Sequence, residues 1–297
     1  MLAIIIPYYK LTFFEQTLES LKNQTDQRFK VYIGDDASPE IPIALLEKYK
    51  DKFNFIYHRF ETNLGGSSLT KQWDRCIALT GKEEWIMILG DDDVLGENTV
   101  EQFYKNLPEI KSKEIKVVRY ATQVLNEKSK VNSEIYYHPE KEKSLDFLFR
   151  KTRSSLSEYI FLKQKVLKIG FVDFQLGWYS DVLGVLEFSD FGTVSTINKA
   201  VIRIRVSSVS ISGNTLYSKK KNKSKFDFYY YLLTNKRNFF SEMQKKELFW
   251  EISKCYINDK KRISFFFKIS WLYLKSFSIV GFVKFTRLIL FYTFKRK

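Results

Sequence analysis

Cysteine is nearly absent. Only Cys76 and Cys255 occur, too few for a disulfide framework and too far apart for a metal-ligand pair, so a reducing cytoplasm is the expected setting. His58 and His138 are the only histidines, and neither stands near a cysteine or a plausible nucleophile, which assigns both to structure or surface. The chain has no Walker loop, no Gly-x-Gly-x-x-Gly and no Gly-x-Ser-x-Gly, which weighs against kinase, dehydrogenase and hydrolase chemistry. Repeats of solenoid length are missing. So is any uninterrupted apolar run of the roughly 20 residues that would span a bilayer. Met1 runs directly into Leu-Ala-Ile-Ile-Ile-Pro with no basic leader or small-residue cleavage site, predicting a first strand and no export.

What is present is a 297-residue chain with 44% hydrophobic residues, enough for a sizeable core in one large domain or two small ones. Its net charge of +15 predicts an anionic partner: nucleic acid, an anionic membrane surface, or a phosphorylated small molecule.

Apolar runs at residues 2–6, 29–33, 53–57 and 85–89 read as strands. Helical stretches fall between them: one opened by the capping-box spacing of Thr12 and Glu15 and running to about Asn23, one opened by Ser38-Pro39-Glu40, and one carrying Leu69, Trp73 and Ile77. This alternation predicts an α/β fold with a mostly parallel sheet, helices on both faces and ligands at the carboxyl ends of the strands. Further on, residues 115–120, 159–162 and 200–206 read as strands, 145–149 and 182–188 as helices, and 126–143 as a charged, hairpin-like stretch.

Polar residues cluster at the strand exits. Ile88-Leu89-Gly90 delivers Asp91, Asp92 and Asp93, three like charges that either gather Mg or Mn or form a solvated turn capping the next helix. Asp35 and Asp36 follow the second strand, as helix caps or as acceptors for a base imide N–H or a ribose hydroxyl. Asn63-Leu64-Gly65-Gly66 is either a plain loop or one whose glycines let the backbone approach a ligand. Asp181 stands in the first turn of a helix, as a helix-start acid or as an ionised base for an attacking hydroxyl.

Taken together, Ile-Ile-Ile-Pro-Tyr-Tyr at 4–9, Asp35-Asp36-Ala37-Ser38, Asn63-Leu64-Gly65 and Leu89-Gly90-Asp91-Asp92-Asp93 resemble the ordered motifs of family 2 glycosyltransferases of GT-A fold. The resemblance extends through Trp178-Tyr179-Ser180-Asp181 to residues 203–210, covering roughly the first 215 residues. It implies an inverting, metal-dependent transfer of sugar from a nucleotide-sugar donor, with uridine the expected base, to a hydroxyl of a glycan or polyprenyl-diphosphate-linked acceptor in surface polysaccharide synthesis. On it, Pro7, Tyr9, Asp35, Asp36, Asn63, Lys71, Asp91 and Asp92 match donor-nucleotide positions, Asp93 and Asp91 match the metal site with Asp93 the first choice, and Asp181 matches the catalytic base. Arg203 and Arg205 match diphosphate-contacting positions. Three residues depart from the pattern: Gly90 replaces a common acid, Lys71 a usual arginine, and Arg205 a common histidine, which excludes metal binding there but suits phosphate.

The implied organisation is a nucleotide-sugar-binding half at 1–125, an acceptor-binding half at 126–215 and a helical, basic-aromatic tail at 216–297. Lys261, Lys268 and Lys275 share one helical face, while Phe266, Ile269, Tyr273 and Phe277 occupy another. That pattern fits a helix lying on an anionic membrane, hence a peripheral location at the inner face of the plasma membrane, or an appendage packed on the catalytic domain. The run Lys219–Lys225 is expected to be a solvated linker. Rival readings are a nucleic-acid-binding protein, which leaves the acidic strand exits unexplained, a sugar nucleotidyltransferase, which lacks its Gly- and Arg-rich triphosphate loop, and a non-catalytic member of the fold.

Overall fold

The computed structural model describes residues 1–276 and 279–294. It divides into two compact units: residues 1–173 with 180–214, and residues 174–179 with 215–297. The first unit is built on one sheet from strands β1 (Leu2–Tyr8), β2 (Phe29–Asp35), β3 (Phe55–Arg59), β4 (Trp85–Ile88), β5 (Val117–Leu125), β6 (Lys141–Lys143), β7 (Tyr159–Leu162) and β8 (Thr193–Arg205). Their order is β3-β2-β1-β4-β7-β5-β8-β6.

The first four strands are all parallel, joined by helices α1 (Phe14–Lys22), α2 (Ile43–Glu47) and α3 (Leu69–Ile77). β1 sits between β2 and β4 and is buried on both faces. Leu2, Ile4 and Ile6 join one core cluster, with Phe14 and Leu18 of α1; Ala3 and Ile5 join the other, with Trp73 and Ile77 of α3. A strand buried on both faces is apolar at every position, which is why its sequence reads as an unbroken run and not as an alternation. Gly34 of β2 lets α3 come close: a Cβ there would lie 2.3 Å from the Cys76 sulfur.

Beyond β4 and α4 (Thr99–Ser112) the sheet becomes mixed. β7 runs antiparallel to both β4 and β5, β5 and β8 are parallel, and β6 pairs antiparallel with β8. Helices α5 (Ser144–Arg150), α6 (Lys163–Ile169) and α7 (Ser180–Phe188) complete the unit. β5 and β8 are sheet neighbours, and the residues on both sides of position 125 lie in one compact unit.

Two expected helix starts are corrected. The Thr12–Glu15 capping box does not form, since α1 begins at Phe14 with no side-chain cap. Ser38 caps no helix: α2 starts at Ile43, and the Ser38 hydroxyl donates to the Tyr9 carbonyl at 2.6 Å.

The second unit holds α8 (Ser218–Asn235), α9 (Glu242–Asn258), α10 (Ile263–Lys275) and α11 (Ile279–Phe294). Lys219–Lys225 is not a linker but the first two turns of α8, where Lys225 pairs with Glu251 of α9 at 3.0 Å. In α10 the packed stripe is Phe265, Ile269 and Leu272, with Phe265 stacked on Phe226 of α8, so Ile269 belongs to this unit's own core. Ile263, Phe267, Trp271 and Leu274 are the exposed face instead. Phe277 lies outside the described residues. Among the described residues, no helix is long and apolar enough to cross a membrane.

Candidate active site

The site grows from the exit of β4. Residues 90–93 leave the strand and are fixed by groups from four other segments. Gly90 N–H donates to the Ser157 hydroxyl at 3.0 Å, and that hydroxyl donates to Asp93 Oδ2 at 2.5 Å. Arg205 N–H, at the end of β8, donates to Asp93 Oδ1 at 2.8 Å, and Thr17 of α1 donates to the Asp93 carbonyl at 2.8 Å. Asp91 Oδ2 accepts the backbone N–H groups of Tyr9 (2.7 Å) and Lys10 (2.9 Å), tying the loop after β1 to the loop after β4.

Asp93 is therefore buried with a hydrogen bond to each oxygen, whereas the Asp92 carboxylate has no hydrogen-bond partner among the described residues and is partly exposed. Burial, then repulsion from Asp93 and Asp91, holds the Asp92 carboxyl well above the usual carboxylate range. Burial likewise pushes Asp91 up to about 6, against the two backbone N–H groups that favour its ionised form. A Cβ on Gly90 would lie 3.1 Å from Asp92 Oδ1 and 3.0 Å from Asp93 Oδ2, so glycine at this position leaves room above the carboxylates that a side chain would fill.

These residues fit a divalent cation in one specific way. No group of three or more acidic, histidine or cysteine side chains converges among the described residues, so an all-protein cage is absent. One open carboxylate beside a half-used one suits Mg or Mn, which bind through one or two carboxylates and complete their shell with water and substrate phosphate. Of the three acids, Asp92 has the open carboxylate, Asp91 is held through Oδ2, and Asp93, the first choice from the sequence, is held by Ser157 and Arg205.

The other sequence-selected residues divide by what their polar groups already hold. Asp35 is fully buried and accepts from Ser38 N–H (2.8 Å), Tyr57 Oη (2.5 Å) and Arg59 Nη1 (2.6 Å). Asp36 accepts from Leu64 N–H (2.7 Å), Gly65 N–H (2.9 Å) and the Arg75 guanidinium. Both acids hold the loops around the exit of β2. Asn63 closes its own turn, accepting from Gly66 N–H at 2.6 Å. Pro7 lies within β1, while the side chains of Tyr9, Lys71 and Arg203 are exposed.

Arg205, matched from the sequence to a diphosphate-contacting position, is held within the protein framework. It is 1% exposed, lies over the Phe13 ring, and donates to the Asp92 carbonyl (2.9 Å), the Asn126 carbonyl (3.1 Å), Ser129 Oγ (3.0 Å) and Gln16 Oε1 (2.6 Å).

Asp181 opens α7, where Ser180 donates to the Val172 carbonyl at 2.7 Å. Burial raises the Asp181 carboxyl to about 6, opposed by backbone N–H groups of Val182 and its own residue and by the charge of Arg153. Glu158 is fully buried and raised by burial to about 8. Sequence reasoning missed Ser157, Glu158 and Arg153, although Ser155-x-x-Glu158 is a readable capping box that the structure forms.

The sequence profile of the family described as "Glycosyl transferase family 2" matches residues 3–170. The glycosyltransferase GlyG of Streptococcus pneumoniae serotype 4 is 24% identical over 110 residues, 37% of this chain and 36% of GlyG. The poly(ribitol-phosphate) β-N-acetylglucosaminyltransferase TarS of Staphylococcus aureus is 28% identical over 102 residues, 33% of this chain and 17% of TarS. The match thus spans about a third of the one relative and a sixth of the other. The crystal structure of TarS 1-349 with UDP-GlcNAc superimposes with a TM-score of 0.65 at 14% identity, covering 95% of this chain and 89% of that one. GalNAc-T7 with UDP, GalNAc and Mn²⁺ gives a TM-score of 0.54 at 9% identity, over 89% and 57%. The architecture is that of GT-A glycosyltransferases.

Replacing Arg205 by Met keeps the bulk and removes four charge-assisted hydrogen bonds. Urea unfolding is expected to show a loss of about 2–4 kcal/mol. Unchanged stability with selective loss of diphosphate binding would return Arg205 to the ligand.

Proposed function

Because the chain belongs to glycosyl transferase family 2, we propose that it moves a sugar from a nucleoside diphosphate donor, uridine being the base read here, to a hydroxyl of a glycan or polyprenyl-diphosphate-linked glycan. The observation that carries this reading is the open Asp92 carboxylate on a rigidly held loop at the carboxyl edge of the sheet, where ligands of such sheets bind. The UDP-GlcNAc bound by TarS supports a UDP-sugar as donor.

Asp92, with Asp91 beside it, would hold a divalent cation, which when bound supplies Lewis-acid neutralisation of the departing diphosphate. Asp91 and the backbone of Tyr9 and Lys10 fix the mouth of the site, and Asp35 and Asp36 shape the loops that flank the nucleotide. Asp181, ionised above its raised pKa, takes the proton of the acceptor hydroxyl. The hydroxyl oxygen bonds to the anomeric carbon as the bond from that carbon to the diphosphate oxygen breaks, its electron pair leaving with the diphosphate. One displacement inverts the anomeric centre.

The sign of the pH dependence follows from the base. Asp181 is raised, so it is protonated and inert below about 6 and competent above it. The log of kcat/KM, read by release of UDP from UDP-sugar in the presence of acceptor, is expected to climb from pH 5 and level off above 6. Asp181→Asn is expected to lose turnover by about a hundredfold or more while keeping UDP affinity. Normal turnover in that variant refutes the base.

For the second unit we propose contact with an anionic membrane surface. Ile263, Phe267, Trp271 and Leu274 form an exposed apolar stripe at helical spacing, and Lys268 and Lys275 stand next to it with Lys275 Nζ 4.9 Å from the Trp271 ring. This supports a peripheral location at the inner face of the plasma membrane. Co-sedimentation with phosphatidylglycerol-containing vesicles, and not with phosphatidylcholine alone, is expected for wild type. It should be lost when Phe267 and Trp271 are both changed to Glu, with UDP binding intact; undiminished co-sedimentation of that variant refutes the surface.

A further inference from the structure

We propose that Arg153 grips the sugar-side phosphate of the donor and makes the site select a nucleoside diphosphate over a monophosphate. This assignment rests on the nucleotide-sugar reading above. Its basis is a guanidinium whose buried nitrogen has no acceptor among the described residues, standing close in the chain to the turn that holds the carboxylate loop. Elsewhere in the first unit Arg59, Arg75, Arg119 and Arg150 each hold a carboxylate, and Arg205 holds carbonyls. Arg153 makes no hydrogen bond or ion pair among the described residues, and its Nη1 is buried with nothing to donate to. A buried guanidinium N–H without an acceptor is costly, and such a group in a folded protein calls for a ligand or an ordered water.

The position of the segment says which ligand. Arg153 lies just before the capped 3-10 turn Leu156–Glu158, whose Ser157 bridges Gly90 N–H and Asp93 Oδ2, so it is anchored beside the carboxylate loop. Its positive charge favours the ionised forms of Asp93, Glu158 and Asp181. On the proposed reading, a donor whose diphosphate is held at Asp92 and whose anomeric carbon faces Asp181 would present its sugar-side phosphate to Arg153. Arginine suits the task because its planar fork gives two parallel N–H bonds to phosphate and stays charged at any working pH. During transfer the electron pair of the breaking carbon–oxygen bond arrives on that phosphate, so the same contact strengthens as the leaving group departs.

The test compares affinities of UDP and UMP by calorimetry in Mg²⁺ buffer, using the full chain as wild type, Arg153→Gln and Arg153→Lys. In Arg153→Gln, UDP is expected to weaken by about ten- to a hundredfold, while UMP is unchanged. Arg153→Lys should recover part of the UDP affinity, since it keeps charge without the fork. Equal weakening of both nucleotides, the mark of a residue that only holds the site's shape, overturns the assignment, as does unchanged UDP binding. If Arg153→Gln does not fold, Arg153→Lys decides: a UDP-to-UMP affinity ratio equal to wild type overturns it. Wild type that binds neither nucleotide overturns the donor reading itself, and that result appears before any variant is made.

Discussion

Everything at this site depends on how one carboxylate is held. Asp93 is bracketed by the Ser157 hydroxyl and the Arg205 N–H, and its carbonyl is held by Thr17, so α1, the segment before β7 and the end of β8 all converge on one residue. Buried carboxylates are expensive unless their lone pairs are filled. Meeting those of Asp93 from two segments, with a third on its carbonyl, converts that cost into rigidity. The result is a loop in which one acid is fully committed, one half-committed and one left open.

The same logic runs through the neighbouring loops. Asp35 and Asp36 spend their oxygens on the turns after β2, on Arg59 and on Arg75, so the walls of the site are set before any donor arrives. Pre-set walls matter for a transferase because the energy of binding need not be spent on ordering them. The parallel half of the sheet supplies the exits and the mixed half supplies the clamp, which is why residues far apart in sequence meet at β4.

Much of this was legible in the chain. The apolar runs of β1, β2 and β4 are buried on both faces and read as such, and Tyr159–Leu162 and the acidic exits were found where strands end. The family and its fold followed from the motifs. What the chain concealed was the assignment of individual lone pairs. Asp91, Asp92 and Asp93 are identical in sequence terms, and only the partners brought by Ser157, Arg205 and the Tyr9–Lys10 backbone tell them apart. The four acceptors of Arg205 are likewise invisible in the sequence. The periodicity of α10 was visible, but which stripe is packed depends on Phe226 of α8, almost forty residues earlier.

The central claim is that this loop presents Asp92, and not Asp93, to a cation shared with a nucleoside diphosphate. Electron paramagnetic resonance of Mn²⁺ titrated with protein and UDP tests it most directly. The account predicts that free Mn²⁺ signal is lost strongly only when protein and UDP are both present, and that Asp92→Asn restores it while the chain stays folded. Equal Mn²⁺ capture by Asp92→Asn and wild type would contradict it.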